Sequence, residues 1–275
     1  LLSVAVATLG VAGACHAATA FEQVTELPVP EAHQGVGVDE RHFYAVENRA
    51  IAKYDKATGK LVERWEAPRS VPIVHLDSAM VMDGKLYAAH SNYPGWPMTS
   101  SVEIFDVERM ERVGSHSFGV RWGSLTWVDW HDGHWWMTFA NYDQKIGPGD
   151  TPYGGKENTV VVELTERFEP VQSWSLPKEV LDRFEEMSNS GGTWGPDGFL
   201  YLSGHDPAEI YKMEVPKAGS VLELVEIVPL NIRGQGIAWD RSQPGVIYGI
   251  IRATAPERVT GVGNRVTVSR LVEER

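Results

Sequence analysis

The sequence predicts an all-β fold, a five-bladed β-propeller with four-stranded blades, and three observations predict it. The segment Gln34-Gly-Val-Gly-Val-Asp39 returns near the other end as Gln235-Gly-Ile-Ala-Trp-Asp240. A turn leads into a short strand closing on an aromatic residue at Tyr44, then in Asp83-Gly-Lys-Leu-Tyr87, Asp132-Gly-His-Trp-Trp136, Asp197-Gly-Phe-Leu-Tyr201 and Gln243-Pro-Gly-Val-Ile-Tyr248. Those closing aromatics stand 43, 49, 65 and 47 residues apart, the length of a four-stranded blade with its loops.

Alternating apolar residues and turn residues divide each unit into strands a to d. The first blade reads Gln34–Val38, His42–Val46, Ala50–Tyr54 and Leu61–Trp65, and the second His75–Val81, Lys85–Ala89, Val102–Phe105 and Arg112–Ser117. The third reads Ser124–Trp130, His134–Phe139, Thr159–Leu164 and Pro170–Ser175, followed by a short helix at Lys178–Met187. The fourth is Gly191–Trp194, Phe199–Ser203, Glu209–Met213 and Val221–Val228. The fifth offers only Gly236–Trp239, Val246–Ile250 and Val266–Leu271, which would leave an unpaired edge. Phe21–Pro30 resembles the d strands, several of which also run into proline, so the N-terminal strand is expected to close the ring.

Residues Leu1 to Ala14 are apolar or small and run into Ala18-Thr19-Ala20, the pattern of a secretory signal-peptide remnant at 1–20. One propeller domain at 21–275, periplasmic or secreted, is the expectation. The alternative is a lipid anchor at Cys15, because Ala12-Gly13-Ala14-Cys15 resembles a lipobox. Cys15 is the only cysteine, so the domain is expected to be held by its core without a disulfide. Acidic residues outnumber basic ones 37 to 25, for a net charge of −12. That surface repels phosphate backbones and argues against a nucleic-acid partner.

In a propeller the loops entering strands a and leaving strands b open on one face. Entering a are His33, Gln34, His75, Asp77, Trp122, Thr193, Trp194, Arg233 and Gln235. Leaving b are Glu47, Asn48, His90, Asn92, Asn141, Asp143, His205, Asp206 and Arg252. The long insertions 91–101, 142–158 and 253–265 belong to the same face and would roof a central funnel. Within this set Glu47, His75 and Asp77 are the candidate catalytic groups. Gln34, Asn48, His90, Asn92, Trp122, Asn141, Trp194, His205, Gln235 and Arg252 are the candidate substrate-binding groups. His75, His90 and His205 are also candidate ligands for a divalent metal, zinc or calcium. His131 and His134 flank a turn on the opposite face and read as surface residues.

The first blade, from Gln34-Gly-Val-Gly-Val-Asp39 to Tyr54-Asp-Lys-Ala-Thr-Gly59, resembles the opening blade of the glutamine cyclotransferases, the plant-type and bacterial glutaminyl cyclases. Gly236-Ile-Ala-Trp-Asp240 is similar to their final blade. The resemblance implies a five-bladed propeller in which a glutamate moves protons as an N-terminal glutamine cyclises with loss of ammonia. The nearest carboxylate here is Glu47, two residues beyond the family's position, on the same side of the strand but displaced by about 7 Å.

The leading reading is therefore an enzyme acting on a small molecule or peptide in the funnel, by cyclotransferase-like or cycloisomerase-like acid/base chemistry. Two alternatives stand beside it, a metal-dependent lactonase-type hydrolase and a non-catalytic periplasmic binding module.

Overall fold

Strict alternation along a b strand sends neighbouring side chains to opposite blades. Phe43 and Ala45 pack with Tyr248, Ile250 and Val266 of the last blade, whereas Tyr44 and Val46 pack with Leu76, Leu86 and Phe105 of the second. Repeated around the ring, this builds one apolar layer between each pair of blades, with Met80, Leu125 and Phe139 in one, Trp127, Trp136, Leu200 and Tyr211 in the next, and Tyr201, Trp239 and Ile247 in the last.

In the computed structural model, residues 18–145 and 153–272 are described, and they form five antiparallel sheets of four strands. Strand β1 (Ala20–Pro28) comes first. Blade 1 is β2 (Gly35–Val38), β3 (His42–Glu47), β4 (Ala50–Asp55) and β5 (Leu61–Glu66). Blade 2 is β6 (His75–Met82), β7 (Lys85–Ser91), β8 (Ser100–Asp106) and β9 (Glu111–Gly119). Blade 3 is β10 (Ser124–His131), β11 (His134–Ala140), β12 (Val160–Leu164) and β13 (Pro170–Ser175), and helix α1 (Lys178–Arg183) follows it. Blade 4 is β14 (Gly191–Trp194), β15 (Leu200–Ser203), β16 (Glu209–Glu214) and β17 (Glu223–Pro229). Blade 5 joins β18 (Ala238–Trp239), β19 (Val246–Ile251) and β20 (Arg265–Val272) to β1 as its outer strand. The expected closure is therefore present, with β1 antiparallel to β20 from Ala20 opposite Val272 to Pro28 opposite Arg265. The apolar segment ending at Ala14 and the Cys15 alternative lie outside the described residues. Among the described residues, no helix is long and apolar enough to cross a membrane.

Two elements differ from expectation. Helix α1 stops at Arg183 rather than Met187, since Glu185 takes a positive φ of 54° that breaks the helical path. The loop after β19 contains a helix, α2 (Ala255–Val259), whose Thr254 and Glu257 form a reciprocal capping box.

The inner strands meet closely at the axis. A Cβ on Gly236 would lie 2.7 Å from Gly35 Cα and 2.6 Å from Ser78 Oγ, so only glycine fits where blades 1, 2 and 5 touch. These residues floor the upper face.

Candidate functional site

Strand starts and ends bring polar groups from four blades together above that floor. Gln34 is buried just before β2, Asn48 follows β3, His75 opens β6, Gln235 precedes β18 and Arg252 follows β19. His205 follows β15 in blade 4. A register break in β6 between Leu76 and Ala79 leaves Asp77 outside the regular pairing.

A directed hydrogen-bond chain links these groups. Glu47 Oε1 accepts from Asn48 Nδ2 at 3.0 Å, which turns the amide oxygen of Asn48 toward Gln34 Nε2 at 3.0 Å and His75 Nδ1 at 2.7 Å. An amide oxygen only accepts, so His75 carries its hydrogen on Nδ1 and keeps a lone pair on Nε2. That Nε2 lies 3.7 Å from Asp77 Oδ2. The other carboxyl oxygen, Asp77 Oδ1, is buried without a hydrogen-bond partner, in a residue only 3% exposed.

Burial sets the charge states. It pushes the Asp77 carboxyl well above its ordinary range, although the Arg252 charge pulls the other way. Burial, followed by the neighbouring His90, His33 and Arg252, lowers His75 to about 4. Burial and then Arg252 also lower His33 and His205. Burial thus favours the protonated form of the Asp77 carboxyl and the unprotonated form of the His75 imidazole beside it.

The chain continues toward blade 5. With the Gln235 amide nitrogen facing Gln34 Oε1 at 3.3 Å, its oxygen accepts from Arg252 Nη2 at 2.9 Å and Nη1 at 3.2 Å. His205 donates through Nδ1 to Asp206 Oδ2 at 2.6 Å, leaving Nε2 to accept from Arg252 Nη2 at 3.1 Å. Aromatic residues that sequence reading left out of the site form the opposite wall. Tyr93 lies 5.0 Å from the His75 ring and 5.5 Å from Tyr142, and donates to Gln144 Oε1 at 2.8 Å. Burial, then the Asp77 charge, raises the Tyr142 hydroxyl above its ordinary value. Tyr142 lies two residues beyond the end of β11, and that position was its only sequence signal.

The structure brings together Gln34, Asn48, His75, Asp77, His205, Gln235 and Arg252, and it places Glu47 behind Asn48. Glu47 Oε2 accepts from the Arg49 backbone at 3.2 Å, so one carboxylate oxygen orients Asn48 and the other holds the Arg49 backbone.

Other candidates belong elsewhere. His90 pairs with Leu76 across the sheet and points into the layer between blades 1 and 2, where Nε2 accepts from Val74 N at 3.3 Å and Nδ1 meets Ser101 Oγ at 2.9 Å. Asn92 closes its own loop through Pro97 O and Thr99 N. Asn141 ties Trp122 O to Asn158 O at 3.0 Å each. Trp122 packs on Phe139 at 4.7 Å under Arg121, away from the axis. Trp194 ends a four-residue inner strand and so emerges on the opposite face, stacked on His131 at 4.0 Å. The metal set is corrected by the same geometry: His90 is turned away from His75, and the described residues contain no group of three or more His, Cys, Asp or Glu arranged to hold an ion. As expected, His131 lies on the opposite face, and His134 pairs with Glu163 at 3.0 Å beyond the same turn.

No protein-family model matches the chain, and no curated protein matches it in sequence. Among solved structures it is similar to a luciferin-regenerating enzyme at TM-score 0.53 and 11% identity, over 93% of this chain and 96% of that one. It is also similar to virginiamycin B lyase from Staphylococcus aureus at TM-score 0.49 and 13% identity, over 92% and 100% of the two chains. At this level of identity the first of these likenesses supports the propeller fold.

Proposed function

We propose that the upper face is an acid/base site acting on a small polar molecule, with Asp77 as proton donor and His75 as proton acceptor. The observation that carries this reading is the buried, unpartnered Asp77 Oδ1 next to the free Nε2 of His75. An unsatisfied buried oxygen costs about 1–3 kcal/mol, a penalty a bound substrate would relieve. In a cyclotransfer the substrate's nucleophilic N–H gives its proton to His75 Nε2 as the new bond to the acyl carbon forms. As the C–N bond breaks, the departing amine takes the Asp77 proton and leaves as ammonia. The imidazolium then returns its proton to the Asp77 carboxylate, which restores the resting pair.

This assignment moves the chemistry from Glu47 to the Asp77–His75 pair and gives Glu47 the task of orienting Asn48. A glutamine cyclotransferase-like reaction is one instance of the scheme. We place the protein in the periplasm or outside the cell, on the strength of the Ala18-Thr19-Ala20 pattern.

The test is a turnover screen of glutaminyl peptides and small lactones against the parent, Asp77→Asn and His75→Gln. Loss of a general acid or base is expected to slow turnover by about 100-fold or more. Parent-like turnover in both variants overturns the assignment. Binding by the parent without turnover transfers it to a binding module.

A further inference from the structure

Buried guanidinium groups normally require a close anion. Elsewhere in this protein Arg233 holds Glu257 and Arg241 holds Asp129, each at 2.6 Å. Arg252 is different. Its side chain is 18% exposed, its acceptors Gln235 Oε1 and His205 Nε2 are uncharged, and Asp206 stands 3.5 Å away. Asp206 is itself 66% exposed and its other oxygen is taken by His205. The backbone around Arg252 is braced, because Arg233 Nη1 donates to the Arg252 carbonyl at 2.9 Å. The result is a fixed, weakly compensated positive charge inside a protein whose net charge is −12.

The surroundings narrow the choice of anion. Arg252 is joined through Gln235, Gln34 and Asn48 to His75, and His75 stands 3.7 Å from Asp77 and 5.0 Å from the Tyr93 ring, which draws Arg252, Asp77 and Tyr93 around one space. One side of that space is aromatic, made by Tyr93, with the His75 and Tyr142 rings tilted against it by 40° and 57°. We infer that the site takes a small monocarboxylate with a flat apolar body, its carboxylate on Arg252 and its body against Tyr93. One weakly compensated positive charge matches one negative charge, and a guanidinium matches a carboxylate in shape. This inference rests on the acid/base reading for its location, since it sets the reacting part of the same ligand beside Asp77.

The experiment is calorimetry at neutral pH with cinnamate and phenylacetate, their primary amides, and inorganic phosphate, on the parent, Arg252→Gln, Arg252→Lys and Asp77→Asn. The acids are expected to bind the parent at least 10-fold more tightly than the amides. Arg252→Gln should weaken acid binding by about 30-fold or more, while Arg252→Lys retains part of it. Equal binding of acids and amides, no acid binding at all, or phosphate in place of the acids overturns the inference. If Arg252→Gln does not fold, the acid-to-amide ratio on the parent and on Arg252→Lys still decides. Retained acid binding in a parent without turnover would refute the acid/base reading alone. Turnover of uncharged substrates with equal acid and amide binding would refute the carboxylate anchor alone.

Discussion

At the scale of residues, two neighbours on one strand carry opposite dependences on pH. His75 is lowered to about 4, so its contribution to stability is complete above the unfolded imidazole value near 6.5 and is lost as pH falls from there toward 4. The loss attributable to His75 is on the order of 3 kcal/mol. Denaturant unfolding should therefore show a steeper loss between pH 6.5 and 4 in the parent than in His75→Gln; equal slopes would contradict the burial of His75. Asp77 behaves inversely. Its raised value means that its contribution is complete below the unfolded carboxyl value near 4 and is lost as pH rises. Asp77→Asn should thus gain stability relative to the parent between pH 5 and pH 8, measured in the same way. The pair was visible in sequence as two residues sharing a strand, and so was the ring of Gln34, Asn48 and Gln235. Which carboxylate was free was not visible, because that depends on Glu47 being spent on Asn48 and the Arg49 backbone.

At the scale of elements, the repeated turn has a chemical reason. The turn carboxylate accepts from the buried phenol that closes the following strand, Asp39 from Tyr44 at 2.6 Å and Asp197 from Tyr201 at 2.7 Å. In blades 1 and 4 this bond ties the turn aspartate to the closing aromatic. The helix at Ala255–Val259 was missed inside a segment expected to be loop, although its start carries the capping box Thr254-x-x-Glu257. Trp194 was misplaced for a geometric reason, since its strand is only four residues long and its last residue leaves on the far face. Asn92 and Asn141 look like binding residues in sequence because loop staples and ligand contacts use the same amide chemistry. The axial contact gives a sharp expectation: Gly236→Ala should destabilise by about 1–3 kcal/mol through clash with Gly35 and Ser78, read as a drop in the unfolding midpoint. An unchanged midpoint would show that the blades do not meet there.

At the scale of the whole molecule, a site drawn from four blades exists only while the ring is closed. Closure depends on β1 pairing with β20 and on the buried ion pair of Lys56 with Asp240 between blades 1 and 5. Removing residues 20–28 should expose the β20 edge and cause aggregation or a large loss of melting temperature. Lys56→Met should cost about 3–5 kcal/mol, because it leaves Asp240 buried with its charge unpaired. Ring closure by the N-terminal strand was legible, since a fifth blade lacking one strand and a surplus strand at the start have one economical solution. The charge state at the centre was not legible, because it follows from burial that only the assembled blades create. The most direct measurement is therefore the carboxyl carbon-13 titration of Asp77, assigned by its disappearance in Asp77→Asn. The expected result is a carboxyl that titrates well above the ordinary carboxylate range. Titration in the ordinary carboxylate range, near 4, would contradict the neutral acid on which the site depends.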